Sequence, residues 1–303
     1  ITSATPDEAS AVKVEIGRKL RVAVGDYMLR RTKAEKLKGL PVKRLYSGDK
    51  RAGADQFVPE LAGVMTGRQL SQYDDVIEKV MTCSSDEKQS LILSSLHKLK
   101  ITSIHHDLEF SGKPPSSTND LFEQAKKSAK VVALLDVLGE VKKRGEKVLI
   151  FATTKSVQAY VCALVTSLFK IPVETINGET KAVATKRDNQ TRKAIIDRFQ
   201  STAGFGVIVM SPVAAGVGLT GVGANNVIHI ERHWNPAKEA QATDRVYRIG
   251  QKRDVNVYIP MALHPQIPSF DLQLNSLLTN KVDLSDAVVA NSSVEAHDLS
   301  ECF

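Results

Sequence analysis

The chain has 303 residues, 42% of them hydrophobic and 25% charged, with 41 Lys and Arg against 34 Asp and Glu. These proportions are those of an ordinary globular chain and exclude a low-complexity or collagen-like one, and the length allows one large domain or two smaller ones. The formal net charge of +7 favours polyanionic partners.

The cysteines, Cys83, Cys162 and Cys302, lie far apart and form no CxxC or zinc spacing, so a reducing compartment, the cytoplasm, is the simplest expectation. Apolar runs are short and broken by Asp136 and Gly139, so no segment is expected to span a bilayer. The opening ITSATPDEAS lacks the basic-then-apolar order of a signal peptide and has no initiator Met, which points to a piece of a longer chain.

From Ala11 to about Arg31 apolar residues recur at helical spacing (Val14, Ile16, Leu20, Val22, Val24). Tyr27 to Lys43 is a basic segment, with Arg30, Arg31, Lys33, Lys36 and Lys38, ended by Gly39 and Pro41. Such a cluster is ordinarily a solvated face. Ser47 to Lys130 is polar and helical, with helices expected at Gln69–Thr82 and Glu87–Lys100 and a loop at Glu109–Asp120. His97, His105 and His106 fall here at no metal spacing and are read as structural.

Beyond Lys130 the pattern alternates. Helices are expected at Lys130–Arg144, Ser156–Lys170 and Asn189–Gln200, the last with Ile195, Ile196 and Phe199 inward. Strands are expected at Lys147–Phe151, Val173–Asn177, Gly206–Ser211, Asn225–Glu231 and Asn256–Leu263. Short apolar strands between amphipathic helices predict an α/β fold, a mostly parallel sheet covered on both faces. Ligands of such sheets bind outside the carboxyl ends of the strands, so the loops after Phe151, Asn177, Ser211 and Glu231 draw attention.

Thr153, Thr154 and Lys155 open a helix, where hydroxyls and free N–H groups suit a phosphate, although ordinary capping uses the same residues. Gly178, Glu179 and Thr180 follow the next strand. Gly216 to Gly221 spells GxGxxG, but the next strand begins at about Asn225 and leaves no room for the helix a dinucleotide site needs. His229 and His233 flank Glu231 at a strand end, without the metalloprotease spacing, so no metal is expected. Trp234, the single Trp, is assigned first to core packing and second to a DNA or lobe interface.

Asn235 to Gln251 begins with a capping Asn and a Pro suited to the first helical position. Read as one helix, it sets Gln241, Asp244, Arg245 and Arg248 on one face, beside an apolar stripe of Ala242, Val246 and Ile249. Spacing alone fits either a solvated basic face or fixed positive charge held against an anion, for which the guanidinium fork is suited.

The wording of this stretch, WNPAKEAQATDRVYRIGQ, closely resembles the last helicase motif of the Snf2 family of ATP-dependent DNA translocases. Trp234, Asn235, Pro236, Glu239, Gln241, Ala242, Arg245, Arg248, Ile249, Gly250 and Gln251 match. L-R-R-T-K followed by L-P, within Tyr27–Lys43, is similar to the end of that family's first ATPase lobe. The loop after Met210 resembles S-x-x-A-G-G-x-G-L-N-L at Ser211, Ala214, Gly216, Gly218 and Leu219. It departs at Ala215, Thr220 and Gly221, and Glu231 stands for a common Asp. Arg192, Ile196 and Phe199 match R-x-x-x-I-x-x-F. The stretch from Ser269 resembles the C-terminal helix of bacterial Snf2 proteins, so the likeness runs from about Tyr27 to about Ala290.

The resemblance implies a RecA-like second helicase lobe with a helical protrusion. Residues 1–45 would be the connector from the first lobe, 46–130 the protrusion, 131–265 the lobe and 266–303 a C-terminal extension. The chain has neither GxxxxGK[ST] nor a DExH or DExD box, so ATP and Mg2+ would need an N-terminal lobe, and this chain alone would hydrolyse ATP poorly or not at all. The implied catalytic residues are Arg245 and Arg248, as arginine fingers. Gln241, Gly216 and Gly218 would meet nucleotide. Thr153, Thr154, Lys155, Gly178, Thr180, Arg192 and Ser211 would follow the backbone of double-stranded DNA. Further implied partners are the first lobe of the same protein and other proteins of a larger bacterial system, at the nucleoid and without a membrane. The alternatives are a non-catalytic RecA-like module that binds DNA or a partner, and a strand-separating helicase, for which no wedge is visible.

Overall fold

The computed structural model describes residues 15, 19, 40–82, 88–106, 108, 118–181, 191–215 and 223–289. The chain divides into a larger unit, 39–275, and a smaller one formed by 1–38 and 276–303. The basic segment before Gly39, the Glu109–Ser117 part of the expected loop, and Gly216 and Gly218 lie outside the described residues.

The larger unit is built on strands β1 (Lys43–Ser47), β3 (Lys147–Phe151), β4 (Glu174–Ile176), β5 (Gly206–Met210), β6 (Asn226–His229) and β7 (Val255–Ile259). They form one sheet in the order β1–β7–β6–β3–β5–β4, every pairing parallel. β2 (Ala62–Val64) and β8 (Met261–Leu263) make a second, two-stranded parallel sheet. The expected strand Asn256–Leu263 is thus two strands in two sheets. The break falls at Pro260, which has no N–H for a sheet ladder. β1, which shares only Lys43 with the basic segment, was not expected as a strand, and a boundary at 45/46 falls inside it.

β3 and β5 are buried at every position, which is why they read as continuous apolar runs rather than alternating ones. Their alternate residues nevertheless feed two cores. Val148, Ile150, Val207 and Val209 pack with Leu134, Leu138 and Val141 of α4 (Ala129–Lys143) and with Val157, Val161 and Leu164 of α5 (Lys155–Phe169). Leu149, Phe151, Ile208 and Met210 pack with Ile195, Ile196 and Phe199 of α6 (Arg192–Ser201) and with Ala242 of α8 (Pro236–Thr243). Between α6 and α8 lies the short α7 (Pro212–Ala215). Each such side chain contributes roughly 1.5–3 kcal/mol on leaving water.

Of the helical segment, α1 (Gly67–Met81), α2 (Lys88–Ile104) and α3 (Thr118–Ala125), the last two contribute to the first core. Ile101, Ile104, Leu121 and Ala125 are buried there. The buried Gln69 side chain ties three helices together: its Nε2 donates to the Thr102 carbonyl at 2.8 Å and its Oε1 accepts from the Ala129 N–H at 3.3 Å. Ser128 caps α4 by accepting from the Val131 N–H at 3.3 Å. A side chain at Gly63 would collide with Ala129, so β2 can approach α4 only as glycine. A buried ion pair, Lys130 Nζ to Asp271 Oδ1 at 2.9 Å, joins α4 to the first turn of α9 (Phe270–Val289), and Asp271 also accepts the Ala262 N–H of β8 at 2.8 Å. His105 and His106 are buried and stacked at 4.5 Å, with His105 Nε2 3.0 Å from the Gln124 carbonyl, a packing role. Of the smaller unit, residues 276–289 complete α9. No helix among the described residues is long and apolar enough to cross a membrane.

Candidate functional site

α8 begins as its sequence demands. Asn235 Oδ1 accepts the Ala237 N–H at 2.9 Å, and Pro236 occupies the first turn. It ends early. The single helix expected to reach Gln251 stops at Thr243, and turns follow: Val246 N–H donates to the Thr243 carbonyl at 3.0 Å and Gln251 N–H to that of Arg248 at 3.0 Å. Gly250 has a φ of 95°, where a side chain would be strained. Of Gln241, Asp244, Arg245 and Arg248, expected on one helix, only Gln241 lies within α8. Val246 is buried with Ala242, but Ile249 is 72% exposed.

Gln251 holds the segment that follows. Its Nε2 donates to the Ala224 carbonyl at 2.8 Å and its Oε1 accepts the N–H groups of Lys252 and Arg253 at 3.0 and 3.1 Å. This clamp ties the segment to the residues just before β6. The loop it creates surrounds a cavity of about 370 Å³ walled by Gly223, Arg245, Arg248, Ile249, Lys252 and Arg253. Four cations and, among the described residues, no carboxylate line it, a composition suited to an anion such as phosphate. Gln241 is exposed on α8 and is not in this wall. Lys252, Arg253 and the clamp role of Gln251 were missed by spacing arguments. The basic run after the Gly-Gln was the available signal.

Because Gly223 precedes β6 and Arg253 precedes β7, the arginine cavity lies at the amino ends of these strands. The remaining candidates lie at the opposite, carboxyl edge: Thr153–Lys155 after β3, Gly178 and Thr180 after β4, and Ser211 after β5. Gly178 is exposed and has open space where a side chain would be. Lys155 is exposed and pairs with the exposed Glu179. Thr180 and Arg192 face inward onto their own turn. Thr180 Oγ1 accepts the Asn177 N–H at 3.1 Å, and Arg192 Nε donates to the Thr180 carbonyl at 2.9 Å.

Thr153 and Thr154 do not present free donors. Glu231, at the end of the β6 segment, accepts the N–H of Thr153 at 2.8 Å, the N–H of Thr154 at 2.7 Å and the Thr154 hydroxyl at 2.7 Å. The two residues that lead into the helix are thus held by the protein's own carboxylate. Burial pushes that carboxyl up, but Lys100 from α2, 2.8 Å away, and the threonine hydrogen bonds hold it below the ordinary carboxylate range.

A second ionic network braces α8. Arg232 donates from Nε to both Glu239 oxygens at 3.1 Å and from Nη1 to Asn275 Oδ1, and Asn275 Nδ2 donates to Asp49 at 2.8 Å. Burial raises the Glu239 carboxyl, but His229 and Arg232 draw it below its usual range. Neither Arg232 nor Glu239 was given a role from sequence. His229 is buried, stacked on Phe151 at 5.2 Å and 2.9 Å from Thr243 Oγ1, and burial lowers its pKa to about 4. His233 accepts the Asn235 N–H at 2.9 Å through Nδ1. Trp234, expected first in the core, is 41% exposed, edge-on to Phe270 at 5.6 Å.

Residues 126–250 match the family model described as helicase conserved C-terminal domain. Over 283 residues the chain is 34% identical to the Zorya protein ZorD of Escherichia coli O139:H28 (strain E24377A / ETEC), covering 92% of this chain and 24% of ZorD. The chain thus spans about a quarter of that relative's length. Among solved structures, the C-terminal part of the Fun30 ATPase domain is similar with a TM-score of 0.58 at 18% identity, over 82% of this chain and 97% of that one. The Sulfolobus solfataricus SWI2/SNF2 ATPase core in complex with dsDNA has a TM-score of 0.57 at 24% identity, over 91% and 55%. Their fold is the one described above, the RecA-like second lobe with its parallel sheet.

Proposed function

Since the chain belongs to the Snf2 family as its C-terminal helicase lobe, we propose that it is one half of an ATP-driven motor that moves along double-stranded DNA. The observation that carries this reading is the cavity walled by Arg245, Arg248, Lys252 and Arg253 without a carboxylate among the described residues. Such a wall fits the phosphates of ATP held by an N-terminal lobe of the same protein. ATP bound there would supply the bond whose cleavage drives movement. Magnesium would be held by that first lobe, because the wall offers it no acidic ligand.

Within this motor Arg245 and Arg248 hold fixed positive charge against the charge that develops on the phosphoryl oxygens. Arginines in that role are worth about 10³ to 10⁵ in rate. Lys252 and Arg253 add to the attraction, and Gln251 sets the loop. Gln241, exposed on α8, and Gly216 and Gly218 complete the nucleotide-facing set. Lys155, Gly178 and Ser211 follow the DNA backbone at the other edge of the sheet, where phosphate contacts give grip without sequence preference. Thr153, Thr154, Thr180 and Arg192 shape the turns that carry them. The relative ZorD is named as a Zorya protein. By analogy, other proteins of a larger system would be this chain's partners.

The test is Arg248→Ala in the full-length protein. DNA-stimulated ATP hydrolysis should be abolished while DNA binding persists. Wild-type turnover in that variant would defeat the assignment.

A further inference from the structure

The carboxyl edge of the sheet contains a buried cation that the function above does not use. Lys100, near the end of α2, reaches into the junction of β3 and β6 with its side chain 8% exposed and that of Glu231 fully covered. Its Nζ lies 2.8 Å from Glu231 Oε1 and 3.0 Å from Thr153 Oγ1. The same ammonium lies 5.9 Å from the Trp234 ring, at the entry to α8. It is too enclosed, and too fully engaged, to meet a DNA phosphate itself.

We propose that Lys100 is a positioning residue through which the helical segment sets the DNA-facing loop between β3 and α5, an inference that rests on the motor reading given above. The chain of contacts is short. Lys100 keeps the Glu231 carboxylate ionised where water cannot, because an unpaired buried charge is costly and is relieved by protonation or by movement. The ionised carboxylate has two oxygens that only accept, and it spends them on the N–H groups and hydroxyls of Thr153 and Thr154. Those two residues fix the start of α5, and the next residue is Lys155. Without Lys100 the carboxyl takes a proton, which weakens it as an acceptor for both amides, or turns away, which removes it, and the first turn of α5 shifts. A shift of this kind alters how Lys155 meets a phosphate while leaving the arginine cavity at the opposite edge of the sheet untouched. A displacement of α2 acts through the same atoms, so the helical segment is wired to the grip rather than to the chemistry.

The experiment uses the full-length protein and measures ATP hydrolysis as double-stranded DNA is raised, beside hydrogen exchange at the Thr153 and Thr154 amides and the melting temperature. Lys100→Met is compared with Lys100→Met/Glu231→Met, which removes both charges and with them the acceptor for the two amides, and keeps the fold measurable if the single variant unfolds. The DNA concentration for half-maximal rate should rise about tenfold in the folded variants, within the range for groups coupled to a site through packed contacts, with kcat retained and both amides exchanging faster. A folded double variant with wild-type half-saturation overturns the proposal, as does one in which kcat falls alone, since a merely structural loss lowers the active fraction without changing grip. A wild-type protein whose ATP hydrolysis ignores DNA overturns the motor reading instead, and this inference with it.

Discussion

Glu231 accepts the backbone N–H of Thr154 at 2.7 Å from a position 77 residues further along the chain. The turn into α5 is thereby held by a carboxylate from another strand, and Thr154, at the cap position, makes no side-chain cap bond. Glu231→Ala should leave Lys100 buried without its partner and two amides without an acceptor. The expected loss of stability is about 3–5 kcal/mol, the usual cost of breaking a buried pair from one side, read from urea unfolding. Because the native carboxyl titrates below its ordinary 4.5, its contribution is complete above that value and fades as pH falls toward the native one. The stability gap between wild type and Glu231→Gln should therefore narrow on acidification, beginning near about pH 5. A gap that stays constant down to the acid transition would contradict the pairing.

His229 adds acid sensitivity in a higher window. Its folded pKa is lowered from 6.5 to about 4 by burial, so the unfolded chain binds a proton before the folded one does. The neutral ring's contribution is present above 6.5 and is lost as pH falls from there to about 4. In His229→Gln, unfolding midpoints should vary less across this window than in wild type. Parallel pH profiles would show that His229 is not the group responsible.

Gln251 should matter out of proportion to its exposure. Gln251→Ala removes the bond to the Ala224 carbonyl and the acceptor for two amides, and so frees the loop that carries Arg248. With the reacting geometry loosened by about 1 Å, DNA-stimulated turnover in the full-length protein should fall by up to about a hundredfold while the melting temperature changes little. Turnover equal to wild type would mean that the loop holds its shape without the clamp.

Lys252 and Arg253 are exposed cations, so their effect should be electrostatic and screened. The Lys252→Ala/Arg253→Ala protein should need about fivefold more ATP for half-maximal rate at low salt, in keeping with exposed charge pairs. The difference should shrink as ionic strength rises. A difference unaffected by salt would point to altered packing, for instance through the bond from Arg253 to the Gly223 carbonyl.

Much of the framework was legible in the amino-acid order because it depends on near neighbours. VLIF and VIVM read as buried strands because they are apolar at every position, and both are fully covered in the sheet. Asn235 and Pro236 announced the start of α8 because capping acts within three residues. The motif wording brought out the family through residues that need only be in register along the chain. β1 was not legible, since a basic pentapeptide at a sheet edge carries little strand signal, and its pairing with β7 joins residues more than 200 positions apart in the numbering.

Other features were decided only when the chain closed on itself. Helical spacing put Arg245 and Arg248 on one face of α8, but that helix ends at Thr243, and the bond from Gln251 to Ala224 holds the turns after it beside a cavity. Thr153 and Thr154 had the composition of a phosphate site, yet strand order set Glu231 beside them and α2 set Lys100 beside Glu231. Local preference is set by what lies within a turn of helix or a step of strand. Which buried charge meets which donor is set by desolvation and by the order of strands, and neither is present until the sheet is assembled.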